Sequence, residues 1–192
     1  MKHWLARGNR KISDNTLIWN LPAVDTCGQH CKGCYAYIAQ RRFNTIYKAR
    51  KQREHLSKDH DFVEVLSNEI KIRHPRYVRV HESGDFYSQE YIEKWAKIAK
   101  ENPDVTFYAY TKRFYDFDFS KILELDNFVL HNSVLPNNQF NYGKKEVVEK
   151  LAEEFDGFIC PMSKDREKRC MEECTWCAEK ANQGTPILFE YH

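Results

Sequence analysis

A chain of 192 residues with 42% hydrophobic and 14% aromatic content can bury the core of one domain. It contains no apolar run long enough to span a membrane, and its start lacks the apolar stretch and cleavage site of a secretion signal, so a cytoplasmic protein with no membrane contact is expected. The formal charge of +2 hides an asymmetry: residues 1–58 carry twelve Lys and Arg against three Asp and Glu, leaving the remainder acidic, so the first third offers a basic surface for an anionic partner such as a nucleotide or nucleic acid, or only a solvated helix face.

In chain order, Thr16-Leu17-Ile18-Trp19-Asn20-Leu21 reads as a first strand stopped by Pro22, and a cysteine loop follows. Apolar spacing from Tyr35 predicts one long basic helix through Ala36, Ile38, Ala39, Phe43, Ile46 and Tyr47, with Arg41, Arg42, Lys48, Arg50, Lys51 and Arg53 at the other positions. At that spacing Phe43 and Tyr47 are expected in the core. A helix over Phe62 to Ile72 follows, then a strand at Tyr77 to His81 and a helix capped by Ser88 through Tyr91, Ile92, Trp95, Ile98 and Ala99. Val105 to Tyr110 and Phe128 to His131 read as strands, with a short helix around Ile122 to Leu125 between them. Lys144 to Phe155 reads as a helix, and Gly157 to Cys160 and Pro186 to Phe189 as fifth and sixth strands.

This alternation predicts an α/β fold, a partial parallel (βα)6 barrel with a C-terminal cysteine-rich metal-binding segment. The chain is expected to be one domain, with a barrel core over residues 1–159, the cysteine-rich segment over 160–180 and a final strand in 181–192. In such folds the chemistry sits in loops at the carboxyl ends of the strands.

Seven cysteines in a cytosolic chain read better as metal ligands than as disulfides, and an odd number cannot all pair. Cys27, Cys31 and Cys34 share one loop past the first strand. Three thiolates leave one iron of a 4Fe-4S cube open, whereas a closed cluster takes four. Cys160, Cys170, Cys174 and Cys177 supply four and can close a second cluster, which is preferred here to the alternative of a four-thiolate zinc site. His30 offers the first set a three-cysteine, one-histidine zinc alternative, with an awkward reach from inside the loop. Cys170, Cys174 and Cys177 repeat the spacing of the first loop, so placement after the first strand, not spacing, decides which set is open.

The spacing and placement of Cys27, Cys31 and Cys34 resemble the radical S-adenosylmethionine superfamily. The resemblance implies that these cysteines bind a 4Fe-4S cluster whose open iron chelates the methionine part of S-adenosylmethionine. It further implies one-electron cleavage to a 5'-deoxyadenosyl radical, with a flavodoxin or ferredoxin as electron donor. Ser83-Gly84-Asp85-Phe86 is similar to the family's glycine-rich acidic motif, so Glu82, Ser83, Gly84 and Asp85 are implied at the cofactor's ammonium. His131, Asn132 and Ser133 stand where the family contacts the ribose or carboxylate. The sequence departs from the family in having Gly33 before the third cysteine, with Tyr35 after it, and in lacking an adenine motif past the fifth strand. Its C-terminal set is similar to a single auxiliary cluster. Leu21-Pro22-Ala23, Cys34-Tyr35-Ala36, Ser83 to Phe86 and Tyr110-Thr111-Lys112 also resemble a phage and bacterial family called gene product 88, whose activity is uncharacterised.

Two functions follow as expectations. One is an enzyme that starts radical chemistry on an unknown substrate, contacted by Tyr108, Tyr110, Lys112 and Arg113 at and after the third strand. The other is a non-catalytic binding or regulatory protein, folded by iron-sulfur or zinc sites, that meets nucleic acid through its basic half.

Overall fold

The computed structural model describes residues 3–29, 31, 33–135, 141–165 and 167–190. It opens with a hairpin, β1 (Ala6–Asn9) and β2 (Ile12–Trp19), in which the Asn9 side chain accepts the Lys11 and Ile12 N–H groups and fixes the turn. Three helices follow, α1 (Tyr35–Arg42), α2 (Asn44–Lys58) and α3 (Phe62–Arg73). Then come β3 (Tyr77–Val80), α4 (Gln89–Glu101), β4 (Thr106–Thr111), α5 (Ser120–Leu123) and β5 (Phe128–Asn132). The last part holds β6 (Tyr142–Gly143), α6 (Lys145–Phe155), β7 (Phe158–Ile159), α7 (Pro161–Lys164) and β8 (Ile187–Glu190).

The main sheet has the order β1-β2-β3-β4-β5, with β2 to β5 parallel and β1 an antiparallel edge. A second sheet, β6-β8-β7, is parallel throughout. All six strands expected from the sequence are therefore present. The protein is a mixed α/β fold with a mostly parallel sheet, and among the described residues no ladder joins the two sheets into a closed barrel. Asn141 makes single bonds instead, donating to the Ser133 carbonyl and accepting from the Phe189 N–H.

Residue alternation gives the main sheet two covered faces. Leu17, Trp19, Val78, Val80, Phe107 and Leu130 join the core beneath α3, α4 and α5. Tyr77, Tyr108 and Val129 turn to the opposite face, where Cys160, Met162, Met171, Cys177 and Ile187 cover them. The C-terminal segment thus occupies the face that a barrel would keep as its interior. Lys180 anchors it by donating to the carbonyls of Leu123, Leu125 and Phe128 at 2.7–3.2 Å.

The single helix expected from Tyr35 to Arg53 is instead two. Phe43 has extended backbone (φ −125°, ψ 99°) and separates α1 from α2, where Asn44 and Thr45 contribute little helix propensity. The break lets α2 fold back so that Arg50 reaches the Ala36 carbonyl (2.8 Å) and the Gln40 side chain (3.2 Å). It also leaves Phe43 half exposed, not in the core. Tyr47 is partly buried and donates to Asp25. Ser88 caps α4 as expected, its hydroxyl accepting the Tyr91 N–H. Among the described residues no helix is long and apolar enough to cross a membrane.

Candidate metal centres

The three-cysteine loop leaves the carboxyl end of β2 and is fixed at both ends. Gln40 on α1 accepts the Ala23 N–H and donates to the Ala23 carbonyl, both at 2.9 Å, so a buried side chain substitutes for a backbone ladder. Thr26 bonds the Pro22 carbonyl. Val24 sits at φ +71°, a strained conformation for a β-branched residue, and donates its N–H to the Cys27 sulfur at 3.3 Å. Cys34 is the N-cap of α1 and accepts the Ile38 N–H. The three thiols are all partly buried. Burial pushes the Cys31 thiol up, Lys112 pulls it down, Cys34 and Cys27 add to the rise, and a hydrogen bond from Tyr142 lowers it. His30 lies outside the described residues.

The strand ends around this loop hold the other expected site residues, in differing roles. Gly84 packs against it: a Cβ there would lie 2.6 Å from both the Leu21 Cβ and the Thr26 hydroxyl, at φ +79°. The Ser83 hydroxyl donates to the Leu21 carbonyl, and its N–H to Asn20. Asp85 is buried, and its carboxylate accepts from Thr111, Lys112 N–H and Phe86 N–H. These bonds turn Ser83 and Asp85 into ties between loops. Glu82 is only partly buried, holds the Asn9 and Asn20 amides, and receives the Tyr35 hydroxyl on its carbonyl at 2.6 Å. Arg113 pairs with Asp116 and lies beside Gly28. Asn132 accepts the Val134 N–H, and Ser133 bonds the Thr111 carbonyl.

His131, Tyr108 and Tyr110 belong to the other centre. Cys160, Cys170, Cys174 and Cys177 line one cavity of about 50 Å³, together with Arg79, Tyr108, Tyr110, Met162 and Met171. Backbone bonds from Cys170 to Lys11 and Ser13 pin the segment to β2. His131 bonds the Cys177 carbonyl at 3.0 Å and stacks between Tyr110 and Trp176. Burial raises the Cys160 thiol to about 11 and the Cys177 thiol to about 12, so metal binding there must displace protons. The neighbouring Tyr110 hydroxyl works against that rise at Cys177.

Two observations test which group this donor set fits. The Arg79 Nε and the Tyr108 hydroxyl are buried in the cavity wall without a hydrogen-bond partner. Among the described residues, no three cysteine sulfurs lie within 4.8 Å of one another; the one group that does is the exposed Asp59-His60-Asp61. A tetrahedral zinc with Zn–S of about 2.3 Å would hold its sulfurs roughly 3.8 Å apart. A 4Fe-4S cube places each thiolate on its own iron, spreads them wider, and adds inorganic sulfides that accept hydrogen bonds. The two orphan donors suit a group that brings acceptors, and the sulfurs stand wider apart than one zinc ion requires.

Sequence reasoning missed Arg79, Tyr142, Gln40 and Arg50. Arg79 carried a readable signal, since a charge amid the valines of a parallel strand is out of place unless something covers it.

The family model described as gene product 88 matches residues 3–152, a stretch that includes the first cysteine loop and stops before Cys160. The gene 88 protein of Mycobacterium phage L5 is 38% identical over 64 residues, 33% of this chain and 27% of that protein. That of Mycobacterium phage D29 is 34% identical over 68 residues, 35% of this chain and 28% of that protein. The aligned part thus spans little more than a quarter of these curated relatives. No solved structure matches the chain.

Proposed function

We propose that this chain, which belongs to the gene product 88 family, is an iron-sulfur enzyme of the radical S-adenosylmethionine type, built on a minimal six-stranded parallel half-barrel. Cys27, Cys31 and Cys34 would hold the first 4Fe-4S cluster, and Cys160, Cys170, Cys174 and Cys177 the second. The observation that carries the reading is the division of the thiols: three in a loop at the carboxyl ends of β2, β3 and β4, four around a separate cavity. A three-thiolate cluster supplies an iron with an open position and one electron for reductive cleavage of the bound cofactor.

The chain's own residues then divide the work. Gln40 and Arg50 hold the loop in shape from α1 and α2. Gly84 lets the loop after β3 approach Leu21 and Thr26, beside the cysteines. Ser83 and buried Asp85 are engaged internally, so the ammonium acceptors at this edge are the remaining lone pairs of the partly exposed Glu82 carboxylate, which also holds Asn9 and Asn20, and backbone carbonyls near Gly84. Lys112 lies near enough to Cys31 to favour its thiolate. Tyr108 and Tyr110 face the C-terminal centre, so substrate contact falls to Lys112, Arg113 and their neighbours. Incubating anaerobically reconstituted, dithionite-reduced protein with S-adenosylmethionine tests the reading. Methionine and 5'-deoxyadenosine are expected, and a reducible protein with both clusters that forms neither would refute it.

A second reading draws on α1 and the break after it, where Tyr35, Ile38 and Phe43 are exposed among Arg41 and Arg42. This surface suits a nucleic-acid partner, with aromatic stacking and phosphate contacts.

A further inference from the structure

The four-cysteine cavity has one permanent charge in its wall. Arg79 stands in the middle of β3, beside Ile18 of β2 and Tyr108 of β4, and alternation turns its side chain away from the helices into the cavity. Its guanidinium lies 5.4 Å from the centre of the Tyr110 ring. Among the described residues it makes no ion pair, and its buried Nε finds no acceptor.

A guanidinium does not shed its proton in a protein. Its Nε is buried while the residue as a whole is only partly so, and a charge held there without an ion pair is costly. An anionic partner offsets that cost: Glu82 acts on Arg79 from a distance without pairing with it, and the acidic groups that line the cavity itself are the thiols of Cys160, Cys170, Cys174 and Cys177. Four thiolates outweigh the positive charge of a 4Fe-4S core or a zinc ion, so a loaded centre is an anion. Lys11 is a second cation that acts on Cys170 from outside the cavity lining, its ammonium bonded to the Asp165 carbonyl at 2.9 Å.

We propose that Arg79 is the counter-cation of the C-terminal centre and holds its reduction potential up. The inference rests on the cluster reading given above. Adding one electron makes the cluster more negative, and a fixed positive charge in a low-dielectric cavity favours that form. Arg79 is thus a positioning and tuning residue, not a ligand.

The test uses the full chain carrying Cys31→Ala, so that the C-terminal centre alone is read, with dithionite as reductant. Arg79→Gln should retain iron and sulfide while its reduction equilibrium moves at least tenfold toward the oxidised form, about 59 mV for one electron. Arg79→Lys should recover most of the shift. Should Arg79→Gln fail to fold, Arg79→Met keeps the unbranched stem, removes the buried charge and carries the same expectation. A loaded variant with an unchanged potential, or a lysine variant shifted as far as the neutral ones, would overturn the proposal. If the parent takes up zinc and no sulfide, the cluster reading falls. Arg79 is then judged by zinc affinity: a tenfold loss in Arg79→Met supports the counter-cation, and equal affinity overturns it.

Discussion

The carboxylate of Asp85 accepts the Thr111 hydroxyl at 2.7 Å, and this bond fastens the loop after β3 to the end of β4. The Lys112 and Phe86 N–H groups complete its shell at 2.9 and 2.8 Å. Burial raises the Asp85 pKa, and these donors offset part of that rise. Asp85→Ala strands three buried donors and should cost roughly 3 kcal/mol, with Asp85→Asn costing less because an acceptor remains. Urea unfolding of the two variants checks this, and an alanine midpoint equal to the parent's would contradict it.

Two glycines at similar φ should respond differently to alanine. Gly33 (φ +74°) has open space around it, so Gly33→Ala should cost only the conformational term of about 1 kcal/mol. Gly84 (φ +79°) adds 2.6 Å clashes with Leu21 and Thr26, so Gly84→Ala should cost at least 2 kcal/mol more, or roughly 3 in total. Thermal unfolding of both variants decides; equal losses would show that the close approach does not matter.

His81 is buried, bonds the Tyr91 hydroxyl at 2.8 Å, and is pulled down to about 3 by burial. A folded pKa below the unfolded value means stability that is present above about pH 6.5 and lost as pH falls toward 3, by roughly 1.4 kcal/mol per unit. His81→Asn removes the titration, and its amide suits the left-handed backbone at φ +67°. Between pH 7 and 5 the parent should lose stability faster than the variant in paired denaturation curves. Parallel slopes would contradict the assignment.

If α1 meets nucleic acid, replacing Arg41 and Arg42 by Gln should weaken binding to a single-stranded oligonucleotide and flatten its dependence on salt. Phe43→Ala should weaken it by roughly 1–3 kcal/mol with little effect on the salt slope. Fluorescence anisotropy across a salt series reads both effects, and a parent that does not bind at low salt removes this second reading.

The strands were legible because each is a short run of β-branched and aromatic residues bounded by turn formers. Tyr77-Val78-Arg79-Val80 was placed to within one residue. The edge strand Ala6–Asn9 was not, since a four-residue polar strand carries no alternation and is specified by the Asn9 turn and its pairing with β2. Periodicity could not show the break at Phe43, because the apolar spacing continues through it and tertiary bonds of Gln40 and Arg50 set the bend. At the site, spacing located the cysteines, while the roles of Ser83, Asp85 and His131 depended on which neighbour the fold brought to them. The place of Arg79 depended likewise on the C-terminal segment that covers its face of the sheet.

The division of seven thiols into an open three and a closed four is tested most directly by iron and acid-labile sulfide in anaerobically reconstituted parent, Cys31→Ala and Cys177→Ala proteins. Two 4Fe-4S clusters predict roughly eight irons per chain in the parent. Cys31→Ala, left with two thiolates in its loop, should retain about half, with equal sulfide and no response to S-adenosylmethionine, while Cys177→Ala should retain at least half and keep a cluster perturbed spectroscopically by the cofactor. Loss of all iron in either variant, or zinc in place of iron and sulfide in the parent, would contradict the account.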